Sequence, residues 1–490
     1  MDRSLRIILF LTIAIISFFM HLEHFPKDLM SVHVWRQTQT QSNIINFYEE
    51  DMNILNPRRN DRGNTDGIFR MEFPLMQWLV AFAYKLFGNH LIICRIIMFI
   101  IGLISILGIY KLLSTLFHNE VLSLIGAWAF NFSPCFYYYT INPIPDNLAL
   151  CCSIWGITLF FSWLNTKKTS SLLGGGLLLS LGSLCKLPFL IYYIVPGTYF
   201  IIHFVRRGIY KNTLFQAMGI FIFSILPVIW YISVIPEWQG NVTVKGIFNN
   251  KESLLTLMDY LQHTLIVVLP EMLLNYGSLL FFLAGFFFLF RNKAYKSSKF
   301  PLIFSWGIAV ILYYFFEINA IAKVHDYYFF PFFPLLFILV AYGAYHLLHS
   351  GISLLRYLTI ALLLLLPLTC YLRMQIRWNT KSPGFNEDLL IYKKELREIV
   401  PKNSLVVAGN DTSHNIFFYY IDKKGWGYHD NKLTARQLKS MIDKGAEYLY
   451  NDSRSIEADS TIMSMVEEKI LEKGSINVYK LKSIITLSME

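Results

Sequence analysis

Residues Glu23–Pro74 read EHFPKDLMSVHVWRQTQTQSNIINFYEEDMNILNPRRNDRGNTDGIFRMEFP. Here an otherwise apolar chain turns chemically varied, with acids, histidine, arginines and an uncharged polar run, Gln37 to Asn43, just after Trp35 and Arg36. An apolar segment, MDRSLRIILFLTIAIISFFM, precedes the stretch, and most of the apolar chain follows it. A polar loop set between membrane segments is the expected working part, and its position decides how the rest of the chain is read. The first segment has the basic start of a signal sequence but lacks a small-x-small cleavage site before His21 and Glu23, so it reads as an uncleaved first span.

The composition agrees. Of 490 residues, 54% are hydrophobic and only 16% charged, and the mean hydropathy is +0.44. A soluble protein carries closer to a quarter charged residues, so the deficit points to membrane. The net charge of +10 sits between apolar segments, where Lys and Arg mark cytoplasmic loops; nucleic acid is not implied as a partner. Arg3 and Arg6 place the N-terminus in the cytoplasm, and the loop 23–74 therefore emerges on the far side. Hydropathy gives about eleven spans, including Val121–Tyr139, Leu172–Cys185, Leu265–Phe290 and Leu302–Phe316. Nearly every inward loop carries a basic cluster. Phe73–Phe87 is short for a span and carries Trp78, Tyr84 and Lys85, which suits an interfacial helix. The outer loop thus reads as two membrane-lying helices, near Gln37–Tyr48 and Pro74–Phe87, joined by Arg58–Arg70.

From Arg373 the composition becomes that of a soluble domain. Strands are expected at Ser404–Ala408, Glu447–Tyr450 and Ile476–Leu481, and helices at Ala435–Asp443 and Ile462–Leu471. The expected organisation is a polytopic helical membrane domain over 1–372 and a small α/β domain on the outer face over 373–490. The six cysteines lie in or beside apolar runs with no CxxC pair, as small hydrophobes do. The Asn-x-Ser/Thr triplets at Asn241, Asn410 and Asn451 are of a kind frequent by chance.

The outer positions hold the candidate chemistry: His33, Arg36, Gln37, Arg58, Asp66 and Glu72 in the first loop, then Pro145 and Asp146, Lys186, Lys323, His325, Asp326 and Tyr327. Arg95 lies near the outer end of the second span. Cations mixed with carboxylates at the outer lipid boundary suit a phosphate-bearing headgroup beside a hydroxyl that needs a general base. Plainer readings stand beside this one. Arg95 can snorkel to headgroups, Asp146 can cap a helix, Lys186 can belong to an ordinary turn, and the tyrosines after Asp326 can form an interface belt.

The ordered set His33–Val34–Trp35–Arg36–Gln37, Asn56–Pro57–Arg58, Glu72–Phe73–Pro74–Leu75, Tyr84–Lys85–Leu86–Phe87–Gly88, Pro145–Asp146, Lys186–Leu187–Pro188 and His325–Asp326–Tyr327–Tyr328 resembles bacterial GT-C glycosyltransferases of the protein-mannosyltransferase-like type (glycosyltransferase family 39 and relatives). The resemblance covers the chain to about Ala344. It implies an enzyme of the bacterial inner membrane that moves a sugar from a polyprenyl-phosphate donor to a hydroxyl on a lipid, glycan or protein, usually with inversion. Asp146 matches the acid of the family's Pro-Asp loop, and Lys186 and Arg95 match basic positions near the donor headgroup. Arg36, Gln37, Arg58, Lys323, His325, Asp326 and Tyr327 complete the expected donor-binding set. Two departures stand out. Relatives carry an Asp-Glu pair where this chain has Trp35–Arg36–Gln37, and Lys-Pro-Pro where it has Glu72–Phe73–Pro74. The catalytic base therefore falls to His33, Glu72, Asp66 or Asp146. No cofactor is implied beyond the lipid-linked sugar as donor substrate, and no metal-ligand cluster stands out, although a divalent metal stays compatible with the sequence. The alternative class, a transporter or lipid flippase, predicts repeated halves and polar residues at mid-bilayer. Here the polar residues gather at one face.

Overall fold

The computed structural model describes residues 3–238, 242–249, 251–323 and 325–482; the triplet at Asn241 lies outside them. Two compact units are present. One comprises Met1–Lys27, Met71–Met76 and Cys94–Ile376, the other Asp28–Arg70, Gln77–Ile93 and Arg377–Glu490. In chain order the first helices are α1 (Arg3–His21), α2 (Val34–Glu49), α3 (Leu75–Phe87), α4 (Leu91–Phe117), α5 (Glu120–Asn131), α6 (Pro134–Tyr139), α7 (Asp146–Thr166) and α8 (Thr169–Cys185).

The first unit is a multi-span helical body. Among the described residues, seven helices are long and apolar enough to cross a membrane, and an eighth span forms if the pair Leu254–Leu273 and Gly277–Arg291, bent by 111°, counts as one. The other three expected spans are short or broken. Val121–Tyr139 divides into α5 and α6, because Pro134 has no N–H to continue the helix and starts a new one instead. Thr169–Cys185 and Phe300–Phe316 are helical over 17 residues each, below the roughly 20 a straight span needs. Leu265–Phe290 is the bent pair: Pro270 sits inside its first half, and Asn275 and Tyr276 take φ of 49° and 47° at the corner.

The most extensive helix pairing among the described residues of this unit is α7 against α8, an antiparallel hairpin turned at Lys167 and Lys168. Glycine permits it. A Cβ on Gly175 would meet the Gly156 carbonyl at 3.0 Å, and one on Gly182 would meet the Ala149 carbonyl at 3.0 Å. Small residues at such crossings let two backbones touch, which is how helices bind one another where lipid removes the hydrophobic drive.

The second unit joins the outer-loop segment to the C-terminal chain. Its sheet contains β1 (Leu405–Gly409), β2 (Lys424–Gly427), β3 (Ala446–Asn451), β4 (Val466–Lys473) and β5 (Ile476–Leu481), in the order β2-β1-β3-β5-β4. The pairs β2-β1 and β1-β3 are parallel; β3-β5 and β5-β4 are antiparallel. One face packs Val406, Tyr450 and Val478 with Phe417, Phe418 and Tyr420, and with Leu29 and Val34 from the outer-loop segment. The other packs Val407, Leu449 and Tyr479 with Leu438 and Ile442 of the helix Ala435–Asp443.

Two expectations change here. The helix placed at Ile462–Leu471 is a short helix, Ser460–Met463, followed by strand β4. The charged sequence VEEKILEK looks helical in isolation, but the two-residue turn Gly474–Ser475 pairs it with β5 as a hairpin. The first of the two membrane-lying helices is also different. Thirteen of the sixteen residues of α2 are buried, the amides and hydroxyls from Gln37 to Asn43 among them. These polar groups bond inward: Gln41 Nε2 donates to the Tyr84 hydroxyl at 2.8 Å, and Asn43 Nδ2 to the Arg58 carbonyl at 2.8 Å. The second helix, α3, exposes Leu79, Phe82, Leu86 and Phe87, the apolar face of an interfacial helix.

Candidate functional site

Because α7 and α8 run antiparallel, the start of one lies beside the end of the other. That places Asp146, the first residue of α7, next to Lys186, the residue after α8. Lys186 Nζ is 3.6 Å from Asp146 Oδ1. Lys186 adopts an extended conformation, and Pro188 begins a tight 3-10 segment behind it. The N-cap position of α7 is Pro145, which offers no side-chain cap. Asp146 sits in the first turn, where the helix dipole favours a negative charge.

Two aromatic rings also face the lysine. Its ammonium lies 4.8 Å from the Tyr328 ring centroid and 5.6 Å from that of Tyr327. Tyr327 and Tyr328 belong to the 3-10 segment Asp326–Phe332. Asp326 anchors that segment by accepting the Tyr139 hydroxyl at 2.6 Å. The His325 ring stacks on Tyr328 at 4.7 Å and reaches the Ala320 carbonyl at 3.2 Å through Nδ1.

Glu72 joins the same neighbourhood. The Phe73 N–H donates to the Leu184 carbonyl at 2.9 Å, Trp230 Nε1 donates to the Met71 carbonyl at 3.0 Å, and the Phe73 and Trp230 rings meet edge-on at 5.0 Å. Glu72 is thereby pinned at the end of α8. Its charge and that of Asp146 both act on the Cys185 thiol and on the Tyr231 phenol.

A further acid stands out on the segment after the helix Phe300–Phe316. Glu317 follows the apolar helix Phe300–Phe316 and is 4% exposed. Burial pushes its carboxyl up to about 7, against the opposing pull of Lys186. Glu317 and Asp146 also act together on the Tyr313 phenol. The signal available in the sequence was an isolated acid directly against a 17-residue apolar run, a placement costly enough to demand a partner or a task.

The remaining expected residues make other bonds or belong to the second unit. Arg95 is fully buried, bonding the Asn142 amide oxygen at 3.0 Å and the Lys27 carbonyl at 2.9 Å, so it does not snorkel. The backbone of Lys323 ends the helix Ile318–Lys323, and its side chain lies outside the described residues. In the second unit His33 holds a left-handed conformation, φ 57°, at the start of α2. Arg36 Nη1 donates to Gln39 Oε1 at 2.5 Å, and Gln37 Nε2 to the Val32 carbonyl at 3.1 Å. Arg58 pairs with Asp66 at 3.6 Å and Asp51 at 3.7 Å, and the Asp66 side chain is 76% exposed. Among the described residues no three His, Cys, Asp or Glu side chains converge as a metal site.

The sequence profile of the family described as dolichyl-phosphate-mannose-protein mannosyltransferase matches residues 72–231. The fold itself matches solved structures over nearly its whole length. ArnT from Cupriavidus metallidurans bound to undecaprenyl phosphate aligns at TM-score 0.66 and 12% identity over 98% of each chain. Its apo form aligns at 0.65 and 11%, over 97% of each chain. The Archaeoglobus fulgidus oligosaccharyltransferase aligns at 0.58 and 12%, over 92% of this chain and 70% of that one. The fold is therefore one that this chain shares with ArnT and with the archaeal oligosaccharyltransferase. No curated protein sequence matches. Glu72, Asp146 and Lys186 fall inside the segment matched by the family profile, whereas Glu317 and Asp326 lie beyond it.

Proposed function

We propose that this chain transfers a sugar from a polyprenyl-phosphate donor to a hydroxyl acceptor on a lipid, glycan or protein, with inversion, at the outer face of a bacterial inner membrane. The observation that carries this reading is the Lys186 ammonium, its side chain 12% exposed, held beside Asp146 and facing two tyrosine rings, within a GT-C fold. In the transfer the acceptor oxygen attacks the anomeric carbon, the bond from that carbon to the phosphate oxygen breaks, and polyprenyl phosphate leaves with the bonding electrons. Lys186 is positioned to meet the charge growing on that phosphate; a preorganised cation in a water-poor site stabilises such charge strongly. Asp146 keeps the ammonium charged and oriented. Glu72, pinned at the end of α8, orients the donor sugar. Arg36, Gln37 and His33 are assigned to the donor end of the outer loop, while Arg58 and Asp66, already bound to each other, shape the loop. Tyr327 packs against the lysine, and His325, Asp326 and Arg95 support the segments that carry the site.

The N-terminus is placed in the cytoplasm and the domain over 373–490 outside, following the basic loops. The transporter or flippase alternative draws nothing from the comparisons, whose family profile is a mannosyltransferase's and whose archaeal neighbour is an oligosaccharyltransferase. The deciding experiment is mass spectrometry of lipids and glycans from cells with and without the protein. A new glycosylated product, with a matching loss of a polyprenyl-phosphate sugar, is expected. Solute movement into reconstituted vesicles without any glycosyl product would sink the proposal.

A further inference from the structure

Around Lys186 the described residues hold more than one acid, and the acids are not equivalent. Asp146 takes the ammonium at 3.6 Å. Glu317 is equally withdrawn from solvent, at 4% exposure, and its Oε2 is buried with no hydrogen-bond partner among the described residues. The Lys186 charge still reaches it. A buried carboxylate oxygen with no partner among the described residues destabilises the fold, and Glu317 lies within electrostatic reach of Lys186; on its own helix Tyr313 donates its hydroxyl to the carbonyl of Tyr328, whose ring faces the ammonium. Asp146 is engaged by the lysine, and Asp66 is exposed and paired with Arg58. Glu317 combines burial, an open oxygen and the neighbourhood of the cation.

We propose that Glu317 is the general base of the transfer. Its open carboxylate oxygen takes the proton of the acceptor hydroxyl as that oxygen bonds to the anomeric carbon, while the carbon–oxygen bond to phosphate breaks and its electron pair leaves on the phosphate beside Lys186. The step balances without any further reactant, and it rests on the glycosyl-transfer reading above. Burial, which pushes the carboxyl up to about 7, matches this role, because a base works best with a proton affinity near the working pH. Among the described residues, the titratable and charged groups on the elements around the loop are Lys186, Asp146, Tyr313 and Tyr314 on its own helix, His325, Asp326, Tyr327 and Tyr328 on the following segment, and Asp259, Tyr260 and His263 on the helix Leu254–His263 packed against Ile318–Lys323.

The test uses the full chain in lipid nanodiscs, with undecaprenyl phosphate as binding probe and product formation in membranes as the transfer readout. Glu317→Gln keeps the shape and removes the base. The expected result is unchanged thermal stability and unchanged undecaprenyl phosphate binding, with transfer lowered by about 10²- to 10⁴-fold. The wild-type rate should rise with pH through about 7, and this limb should be missing from the residual rate of the variant. Glu317→Ala should regain part of its rate in added formate. Wild-type transfer by Glu317→Gln, or transfer and undecaprenyl phosphate binding lost together, would overturn the assignment. If the wild-type protein yields no glycosylated product at all, the functional reading falls and this inference with it, an outcome distinct from product persisting in the variant.

Discussion

Lys186 Nζ stands 3.6 Å from Asp146 Oδ1, with the lysine side chain 12% exposed and the aspartate 2%. Two charges this far out of water are stable together and costly apart. Lys186→Ala leaves Asp146 buried without its counter-charge and should lower stability by about 3–5 kcal/mol. Removing both charges should hurt less: the Lys186→Ala, Asp146→Asn double variant is expected to melt above the Lys186→Ala single variant in detergent. Both should lose undecaprenyl phosphate binding, because the ammonium is gone in each. A double-mutant cycle on thermal stability measures the coupling, and strictly additive effects would show that the pair does not act as a unit.

Glu72 tests how much of the reaction depends on orientation. Its backbone neighbours are fixed by the Phe73–Leu184 and Trp230–Met71 hydrogen bonds, so Glu72→Gln should change chemistry without moving the chain. Transfer is expected to fall by about 10²-fold, the scale of a misplaced reactant, with thermal stability held. Product formation in membranes, set against a melting curve, checks this. An unaltered rate would remove Glu72 from the site.

The sequence marks Arg36 as a phosphate contact, and the structure buries it at 3% exposure within α2, bonded to Gln39. If it serves the donor, Arg36→Ala should weaken undecaprenyl phosphate binding, and Arg36→Lys should recover only part of it, because a lysine keeps the charge without the planar fork. Equal binding by wild type and Arg36→Ala would leave Arg36 a structural residue of α2.

The class of fold was legible because hydropathy and the placement of Lys and Arg act locally, and the ordered motifs named the right architecture. The strand Ile476–Leu481 and the helix Ala435–Asp443 were also readable, each having a clear period and, for the helix, the Thr434–Gln437 capping box. What escaped depends on distant partners. The residues of β4 favour helix until β5 offers them a ladder, and the polar run of α2 looks solvated until Tyr84 and Arg58 take up its hydrogen bonds. Lys186 and Asp146 were both named, but their pairing required the α7–α8 hairpin. Glu317 drew no notice because its burial is set by the helices around it rather than by its own neighbours in sequence.

In the second unit Glu49 and Glu50 meet Lys402, Lys424 and Arg62: Lys402 and Lys424 reach Glu49 at 2.6 Å and 3.1 Å, Lys424 reaches Glu50 at 2.7 Å, and Arg62 holds Glu50 directly. Burial alone would raise both carboxyls, yet the cations more than offset it and hold them below the ordinary carboxylate range. Acids depressed in the folded state stabilise it above their unfolded values, and that contribution disappears as pH falls through the folded ones. Amide hydrogen exchange near Glu49 and in β2 should therefore quicken as pH drops below about 4, after correction for intrinsic rates. Lys424→Ala should weaken this region by about 1 kcal/mol at neutral pH and flatten the acid dependence. Identical corrected exchange at both pH values would show that the ion pairs contribute nothing.

The β4–β5 hairpin hinges on Gly474, which takes φ 58° in the turn. Asp388 locks that turn by accepting both the Ser475 N–H and the Ser475 hydroxyl at 2.7 Å. A Cβ at position 474 would run into the Asp388 carboxyl group, and a left-handed conformation alone costs a non-glycine residue about 1–2 kcal/mol. Gly474→Ala should thus be destabilising by at least that amount locally, by moving Asp388 and opening the turn. Because β4 is an edge strand paired only with β5, the loss should appear as faster amide exchange across Val466–Lys473, while the parallel pairs β2-β1 and β1-β3 keep their protection. Asp388→Ala combined with Gly474→Ala should be less harmful than the glycine change alone, since it removes the clashing group. Full protection of β4 in Gly474→Ala would mean that the ladder, rather than the turn, holds the hairpin in register.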